Sequence, residues 1–336
     1  MAFANWDRIT TTTRDTILPK VVDNIFDYDP LLMRLLTKAE SKKGGNKIVV
    51  PVIYAKNTAG GSYAGLDTLA TNQVPTRSAA EFEWKQVYQS VVLSGIAQAK
   101  NQGTEKIIDL VGQEMKEAEL GIKDKMCTQL YSDGTGNESK DITGIHAVCD
   151  DRTNVDTYGD LSRTTYSWWR AQYSAAVGSI TLDNLLAFYD SCSSGSDSPT
   201  VIVTTELLWR ALEALQTPFR TYSSPTEGYP KMTREGIGPT GKTVGANAGF
   251  NVLYLRGTPV VSSEYATSGQ VFFLNEKYLQ FYTLKQVGRK SKENGFAMTD
   301  MKEPVDQDGE VAQILWYGNL TCNECRRQGR MVGCTA

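Results

Sequence analysis

Two β-branched stretches, separated by a long polar connection, restrict most strongly the folds that this sequence can adopt. Residues 46–55 (NKIVVPVIYA) and 81–94 (EFEWKQVYQSVVLS) both have the pattern of long strands. In the second stretch, four apolar side chains fall on one side at even spacing: Phe82, Trp84, Tyr88 and Val92. Some twenty-five residues rich in Gly, Ala, Ser and Thr connect the stretches, whereas ordinary hairpin loops have about two to five. Because an isolated hairpin is marginal in water, the pattern predicts a projecting hairpin that needs a partner surface.

The N-terminal segment also lacks the apolar residues of a self-sufficient core. Its few apolar groups, Ile17, Leu18, Val21 and Val22, lie among polar stretches, and an amphipathic helix with four leucines is predicted at residues 30–38. A segment with so little to bury needs something else to hold it. We therefore expect residues 1–43 to form an arm that a neighbouring subunit holds.

The rest of the chain predicts a mixed α+β fold. The strongest helix covers residues 104–131, with Thr104 as its cap and apolar residues at steps of three or four, and it would be about 42 Å long. Helices at residues 181–191 and 205–216 flank an apolar strand at 199–204. Strands then dominate, at residues 250–255, 258–261, 271–275, 278–284 and 311–321.

Composition excludes several classes of function. The chain of 336 residues has 35 Lys and Arg against 38 Asp and Glu, a formal charge of −3, which gives little attraction to phosphates or anionic membranes. The sequence contains neither an apolar run of about eighteen residues nor a signal peptide, so we expect a soluble protein made in the cytoplasm. His146 is the only histidine, and it is interpreted as structural, which disfavours most hydrolytic mechanisms.

Residues 236–243 match the P-loop pattern G-x-x-x-x-G-K-T letter for letter. A phosphate-binding loop needs a buried strand before it and a helix after it. Here a polar stretch with a proline precedes the motif, and two glycines leading into a strand follow it. A loop without nucleotide is favoured, and a P-loop NTPase remains a remote alternative.

Cysteines and tryptophans supply two further motifs. Cys322 and Cys325 form a CxxC with Cys334 nine residues on, but the second half of a zinc ribbon is missing, and the role of the three is left open. Six cysteines in a chain of this size indicate reduced thiols. Trp168 and Trp169 could stack on nucleic acid, but a packing or subunit contact is favoured because stacking grooves are normally basic.

The order of these parts resembles the major capsid proteins of tailed bacteriophages, the Hong Kong 97-type fold. Five segments resemble the family locally: residues 130–136, 141–145, 158–163 with 168–170, 256–261, and 271–275. The resemblance implies an N-arm at 1–43, an extended E-loop hairpin at 44–100, a peripheral domain at 101–200 containing the spine helix 104–131, an axial domain at 201–285, and a return to the peripheral domain at 286–336.

The resemblance also implies a function. Subunits would form hexamers and pentamers of an icosahedral head that encloses double-stranded DNA without reading its sequence, in the virion, with no catalytic, cofactor or metal site. Expected partners are further copies, a separate scaffolding protein, a portal and an optional decoration protein, with no membrane. An encapsulin-like compartment shell is the alternative. The expected inter-subunit contacts are Ile17, Leu18, Tyr54, Tyr63, Leu66, Phe82, Trp84 and Tyr88.

Overall fold

The computed structural model describes residues 29–69, 71–100, 110–195, 197–216, 253–285, 290–291, 295–304 and 308–336. It confirms a mixed α+β fold. Several predictions fall wholly or partly outside the described residues: residues 1–28 of the arm with the contacts Ile17 and Leu18, the P-loop pattern at 236–243, the start of the long helix at Thr104, and the start of the strand at 250–255.

Six right-handed helices lie in the described residues: α1 Pro30–Thr37, α2 Gly95–Lys100, α3 Leu110–Leu130, α4 Ile145–Val148, α5 Leu182–Cys192 and α6 Glu206–Gln216. Residues Gly136–Ser139 form a turn in which Asn137, Glu138 and Ser139 have left-handed backbone angles. Short 3₁₀ turns occupy Ser167–Trp169 and Cys325–Arg327.

The strands follow in chain order: β1 Glu40–Lys42, β2 Lys47–Ile53, β3 Arg77–Glu83, β4 Lys85–Ser94, β5 Thr157–Tyr158, β6 Leu161–Ser162, β7 Gln172–Ser174, β8 Gly178–Ser179, β9 Val201–Thr204, β10 Leu253–Leu255, β11 Thr258–Ser262, β12 Gln270–Leu274, β13 Leu279–Leu284, β14 Lys290–Ser291, β15 Phe296–Met298, β16 Gly309–Cys322, β17 Gly329–Val332 and β18 Cys334–Thr335. The strands that the sequence predicted after residue 198 are confirmed where they are described, with ends that shift by at most two residues; residues 250–252 lie outside the described part of the chain.

Two six-stranded sheets organise the subunit. The first has the order β1-β13-β16-β15-β14, and β4 also pairs with β16. The second has the order β10-β11-β9-β12-β17-β7. The central strand β16 pairs antiparallel with β4 over Gly309–Gly318 and with β13 over its C-terminal end. Helix α3 packs against β4, and a Cβ at Gly121 of the helix would lie 3.6 Å from the side chain of Gln89.

The predicted single strand at residues 81–94 is wrong, because the structure divides it at Trp84. Strand β3 pairs with β2, whereas β4 leaves that hairpin and pairs with β16. Even-numbered residues such as Phe82 face inward in β3, but odd-numbered residues such as Val87 and Val91 face inward in β4. The even spacing of aromatic residues across both strands therefore does not mark one face.

Helix α1 packs into the core of its own subunit, and the extent of the arm at residues 1–43 stays a prediction. Its four leucines are buried in the main cluster. The carboxylate of Asp29 accepts hydrogen bonds from the Leu32 amide at 2.8 Å and the Tyr131 hydroxyl at 2.9 Å. Arg34 and Lys38 both form ion pairs with the buried Glu276. Beyond the helix, β1 pairs in parallel with β13.

Candidate inter-subunit surfaces

Strand β2 of the β2–β3 hairpin carries apolar side chains on both faces, whereas the outward residues of β3 include Arg77, Glu81 and Glu83. The inner face of the hairpin is buried within the subunit and consists of Ile48, Val50, Val52, Ala80 and Phe82. Its outer face carries Val49 and Ile53, which are 57% and 72% exposed, with Pro51 between them also exposed. A strand covered on only one side normally alternates apolar and polar residues. The outer face of β2 is therefore a surface to which something else can bind.

A platform formed by β5, β6 and the following 3₁₀ turn covers the inner face of the hairpin. The Tyr54 ring stacks on Trp168 with centroids 5.3 Å apart, and Phe82 meets Tyr158 edge-on at 5.1 Å. The Glu81 amide donates to the carbonyl of Gly159 at 3.0 Å. The hairpin thus buries one face inside its own subunit, so the partner surface that the sequence predicted is needed only for the other face.

Gly159 allows this close approach. Its φ is +60°, and a Cβ there would lie 2.8 Å from the Phe82 ring and 3.0 Å from the Ala80 side chain. A side chain would therefore strain the backbone and collide with the hairpin at the same time.

We expect Gly159→Val to loosen the hairpin from the platform, with a cost of about 1–3 kcal/mol from strain and overpacking. Limited proteolysis in the connection at residues 54–76 should become faster, and the free energy of unfolding should fall. Gly65→Val is the matched control, because that glycine also has positive φ but has open space around its Cβ position. Equal proteolysis rates for the two variants would contradict this role of Gly159.

A buried ion pair between Asp150 and Arg330 lies next to the platform in sequence and stabilises the loop that leads into it. Asp150 is fully buried, and its carboxylate accepts backbone hydrogen bonds from Arg152, Asn154 and Val155 at 2.9–3.1 Å. Arg330 of β17 donates to the same carboxylate at 3.1 Å. Burial alone raises the pKa of Asp150, but the hydrogen bonds outweigh it and hold the pKa below its usual range. The carboxylate is therefore charged in the folded subunit near neutral pH.

Arg163 connects the platform to the backbone on both sides of Asp150. The side chain is completely buried, and its guanidinium donates to the carbonyl oxygens of Trp169, Val155, Ala147 and Val148 at 2.7–3.3 Å. The guanidinium also lies over the Tyr158 ring at 5.2 Å. Trp169 is buried beside it and donates its indole N–H to the Tyr158 carbonyl at 2.9 Å. The tryptophan pair is a packing element, as the sequence favoured.

The connection between β2 and β3 exposes three large apolar side chains: Tyr63, Leu66 and Leu69. Leu66 has a relative exposure of 104%, and the polar contacts around it are short-range turns such as the Ala64 amide to the Asp67 carboxylate. Apolar side chains clustered on a surface indicate an interaction site. Together with Val49, Pro51 and Ile53 they form what we call the outer hairpin surface.

A second exposed apolar strip follows β4 and α2, through Tyr88, Val92 and Ile96, which are 54–61% exposed. Tyr88 pairs with Leu315 and Val92 with Val311 across the β4–β16 ladder. The ammonium of Lys125 on α3 lies 5.7 Å from the centre of the Tyr88 ring. We call this the β4 strip.

The structure separates the predicted contact residues into accessible and covered ones. Tyr63, Leu66 and Tyr88 are exposed, whereas Tyr54 and Trp84 are half-buried. Trp84 donates its indole N–H to the Gly45 carbonyl at 2.9 Å. Phe82 is only 4% exposed and has almost no surface left for a neighbour, because the platform covers it.

The predicted contact residues did not include the exposed side chains Val49, Ile53, Leu69, Val92 and Ile96, although the sequence pattern had singled out Val92. A signal for two of them was present, since residues 48–53 are apolar almost without interruption. Such runs are typical of strands that are buried on both faces.

His146 is structural, as expected. Its ring stacks on Phe272 at 5.3 Å, and Nε2 lies 3.0 Å from the Thr267 hydroxyl. Burial, with help from Arg330, lowers the pKa of His146 to about 4, although Asp133 and Asp150 act in the opposite direction. The imidazole is therefore neutral in the folded subunit.

This histidine gives a pH prediction. The unfolded chain takes up a proton near the ordinary pKa of 6.5, whereas the folded chain takes it up only near pH 4. The free energy of unfolding should therefore fall as the pH drops from about 6.5 to about 4, and this contribution should level off below that. Denaturant unfolding of His146→Gln should lack the slope in that window. An identical slope in both proteins would contradict the assignment.

All six cysteines are buried, and none forms a disulfide. Burial raises the pKa of Cys192 to about 12 and also raises that of Cys322. For Cys325, burial is outweighed by a hydrogen bond with Cys322 and by the charge of Arg163, so its pKa is lowered. Cys127 and Cys192 are core residues of α3 and α5, as predicted.

The described residues offer neither a membrane-spanning helix nor a metal site. No helix among them is long and apolar enough to cross a membrane. Within the same ranges, no group of three or more His, Cys, Asp or Glu residues is arranged to hold a metal ion.

Comparison with known proteins gives matches to structures only. No protein-family model matches the sequence, and no curated protein sequence matches it either. The capsid asymmetric unit of cyanophage A-1(L) has a TM-score of 0.71 at 14% identity, covering 99% of this chain and 100% of that one. A structure from Mycobacterium phage Adephagia has a TM-score of 0.58 at 8% identity, covering 100% and 99%. The SrpI encapsulin of Synechococcus elongatus has a TM-score of 0.58 at 11% identity, covering 99% and 96%.

These matches run over essentially the whole chain, so they establish the fold class as that of shell-forming proteins. More particularly, the chain has the fold of the tailed-bacteriophage major capsid proteins, the Hong Kong 97 type, which confirms the resemblance in the sequence. The domain boundaries inside that fold remain predictions.

Proposed function

We propose that this chain is the major capsid protein of a tailed bacteriophage, and that copies of it assemble into the hexamers and pentamers of an icosahedral head that encloses double-stranded DNA. The observation that carries this proposal is the outer hairpin surface, where β2 is apolar on a face that its own subunit leaves exposed. The fold supports the same conclusion. The protein acts structurally and not as an enzyme.

In this proposal the outer hairpin surface of one copy lies against a neighbouring copy, and the β4 strip is the candidate surface that receives it. Ile17 and Leu18 of the arm make a further contact with a neighbour. Each contact is modest, but a subunit leaves the shell only by breaking several at once, which makes the assembly strong. The net charge of −3 gives the subunit little electrostatic affinity for the enclosed DNA.

The proposed partners are a separate scaffolding protein and a portal, with a decoration protein as an optional addition, and assembly takes place in the host cytoplasm. Electron microscopy of the purified protein, alone and together with the scaffolding protein, tests the proposal. Closed shells or isolated capsomers are expected. Uniform monomers under every condition would contradict it.

An encapsulin-like compartment shell is the second candidate, because the SrpI encapsulin shares the fold over nearly the full chain. The contents of purified shells distinguish the two candidates. Nuclease-protected double-stranded DNA supports the capsid, whereas a co-purifying cargo enzyme without DNA supports the compartment. The higher TM-score of the cyanophage capsid favours the first outcome.

A further inference from the structure

The crossing from one six-stranded sheet to the other contains two of the cysteines. Cys322 is the last residue of β16 in the first sheet, and Cys325 begins the 3₁₀ turn that leads into β17 of the second sheet. Both side chains are fully buried. Of the two residues between them, Asn323 is exposed and Glu324 is partly exposed. The two thiols are therefore covered on this side by a turn that itself meets solvent.

The two thiols contact each other and differ in reactivity. They are close enough to hydrogen-bond, and the guanidinium Nη2 of Arg163 lies 3.9 Å from the Cys325 sulfur. Burial alone would raise the pKa of Cys325, but the hydrogen bond with Cys322 and the charge of Arg163 outweigh it and lower this pKa. Burial raises the pKa of Cys322. Because the thiolate is the nucleophilic form, Cys325 is the thiol that reacts first.

A buried hydroxyl beside the thiols lacks a hydrogen-bond partner. Tyr158 is 2% exposed, and within the described part of the chain its hydroxyl has no partner. Burial raises the pKa of Tyr158, and the nearby Cys322 and Cys325 raise it further, which places this hydroxyl next to the two sulfurs. A buried polar group of this kind is a place where proteins hold a small polar molecule such as water. A small hydroperoxide carries the same O–H group and can be held in the same way.

Three other cysteines lack this combination of neighbours. Cys334 lies in β18 and packs in the smaller core cluster, where burial raises its pKa to about 11. Burial likewise raises the pKa of Cys192 to about 12. Cys149 is close to Cys325 and Arg163, yet burial raises its pKa far above the ordinary value. These three thiols stay protonated, so they react slowly.

We propose that Cys322 and Cys325 form a redox pair that a hydroperoxide converts into a disulfide at the crossing between the two sheets. The Cys325 thiolate attacks one peroxide oxygen, the O–O bond breaks, and the other oxygen leaves with the proton that Cys325 released, as water in the case of hydrogen peroxide. Cys325 is then a sulfenic acid. The Cys322 sulfur attacks it, the S–S bond forms, and the hydroxyl group leaves as water with the Cys322 proton. Two electrons pass from the two sulfurs to the peroxide.

The disulfide affects both sheets and the platform. It closes a loop of four residues between the end of β16 and the turn before β17. It also removes the thiol beside Arg163, whose guanidinium holds the backbone of the platform. A thiol reductant reverses the reaction by thiol–disulfide exchange. The proposal goes beyond the shell function and does not depend on it, because it can be measured in unassembled subunits.

Peptide mass spectrometry of the folded subunit tests the pair. Reduced subunits are exposed to hydrogen peroxide and then unfolded with iodoacetamide, which alkylates every remaining thiol. Trypsin leaves both cysteines on the peptide 303–326, because neither Lys nor Arg lies between them. We expect this peptide to lose both alkyl groups together, with the mass of two hydrogens, about tenfold faster than Cys149, Cys192 or Cys334 is oxidised, and dithiothreitol should restore it. Equal rates at these cysteines, or a peptide that stays doubly alkylated, would overturn the proposal.

Single substitutions test the two roles. In Cys322→Ser the reaction should stop at the sulfenic acid of Cys325, which dimedone traps, whereas Cys325→Ser should leave Cys322 reduced. The matched control is Cys192→Ser, which removes another buried thiol and should still form the disulfide. A trapped sulfenic acid on Cys322 in the Cys325→Ser variant, with none on Cys325 in the other, would contradict the assigned roles. The measurement on the unmodified subunit does not depend on how well any variant folds.

Discussion

Replacing Val49 and Ile53 together by aspartate should abolish shell formation while leaving the subunit folded. Both side chains are exposed in the subunit, at 57% and 72%, and surface substitutions of this kind change the stability of a subunit by only about 0.5 kcal/mol. The proposed neighbour would cover them. Burying such a side chain contributes about 1.5–3 kcal/mol, and a carboxylate buried in its place adds a desolvation penalty.

The effect should be large because the same loss occurs at every copy of a repeated interface. Sedimentation and electron microscopy of the double variant should show free subunits or capsomers where the unmodified protein shows shells. The conservative double variant Val49→Ile, Ile53→Val should still assemble, since it keeps the face apolar. Normal shells from the double aspartate variant would exclude the outer hairpin surface as a subunit contact.

The largest effect on the isolated subunit is expected for Asp150→Ala. This change leaves Arg330 buried without its carboxylate and removes the acceptor of the Arg152, Asn154 and Val155 amides. Removing one partner of a buried ion pair costs about 3–5 kcal/mol. Urea unfolding of unassembled subunits should show a midpoint that falls by a corresponding amount, and the platform under the hairpin should become sensitive to proteases.

Asp150→Asn provides the control, because the amide keeps an oxygen acceptor but loses the charge. The folded-state pKa of Asp150 is depressed, so its stabilisation is present above the unfolded pKa of about 3.9 and is lost as the pH falls through the folded-state value. The unmodified subunit and the Asn variant should therefore converge in stability only in strong acid. A cost below about 1 kcal/mol for Asp150→Ala at neutral pH would contradict this account, given the expected range.

Much of the fold was predictable from local pattern, and the errors have physical causes. Helix α5 was predicted at residues 181–191 and is present at Leu182–Cys192, with the hydroxyl of Thr181 as its cap. The break at Trp84 was not predictable, because the neighbouring residues have strand character on both sides and only tertiary pairing decides that β3 joins β2 while β4 joins β16. Strand propensity does not determine which partner is chosen.

For the arm and the candidate surfaces too, some features were predictable from local pattern and others depend on tertiary contacts. The leucine spacing correctly predicted α1, but its attachment to the core depends on Glu276 and Tyr131, which are far away in sequence. Tyr63 and Leu66 are exposed, as a contact residue must be, yet Phe82 is covered by Tyr158, again a distant residue. Local pattern indicates that a side chain is apolar, but only the assembled tertiary structure determines which apolar side chains remain uncovered.

The long sequence separation between β4 and β16, and between Asp150 and β17, affects when the subunit can fold during synthesis. Strand β4 pairs with β16, which is made more than two hundred residues later. Asp150 likewise pairs with Arg330 of β17. At about 5–20 residues per second, a ribosome needs on the order of ten seconds or more to make that stretch. A nascent chain therefore exposes its hairpin before the platform is complete, and the docked form can appear only after β16 and β17 have been made. Translation itself would time the appearance of association-competent subunits.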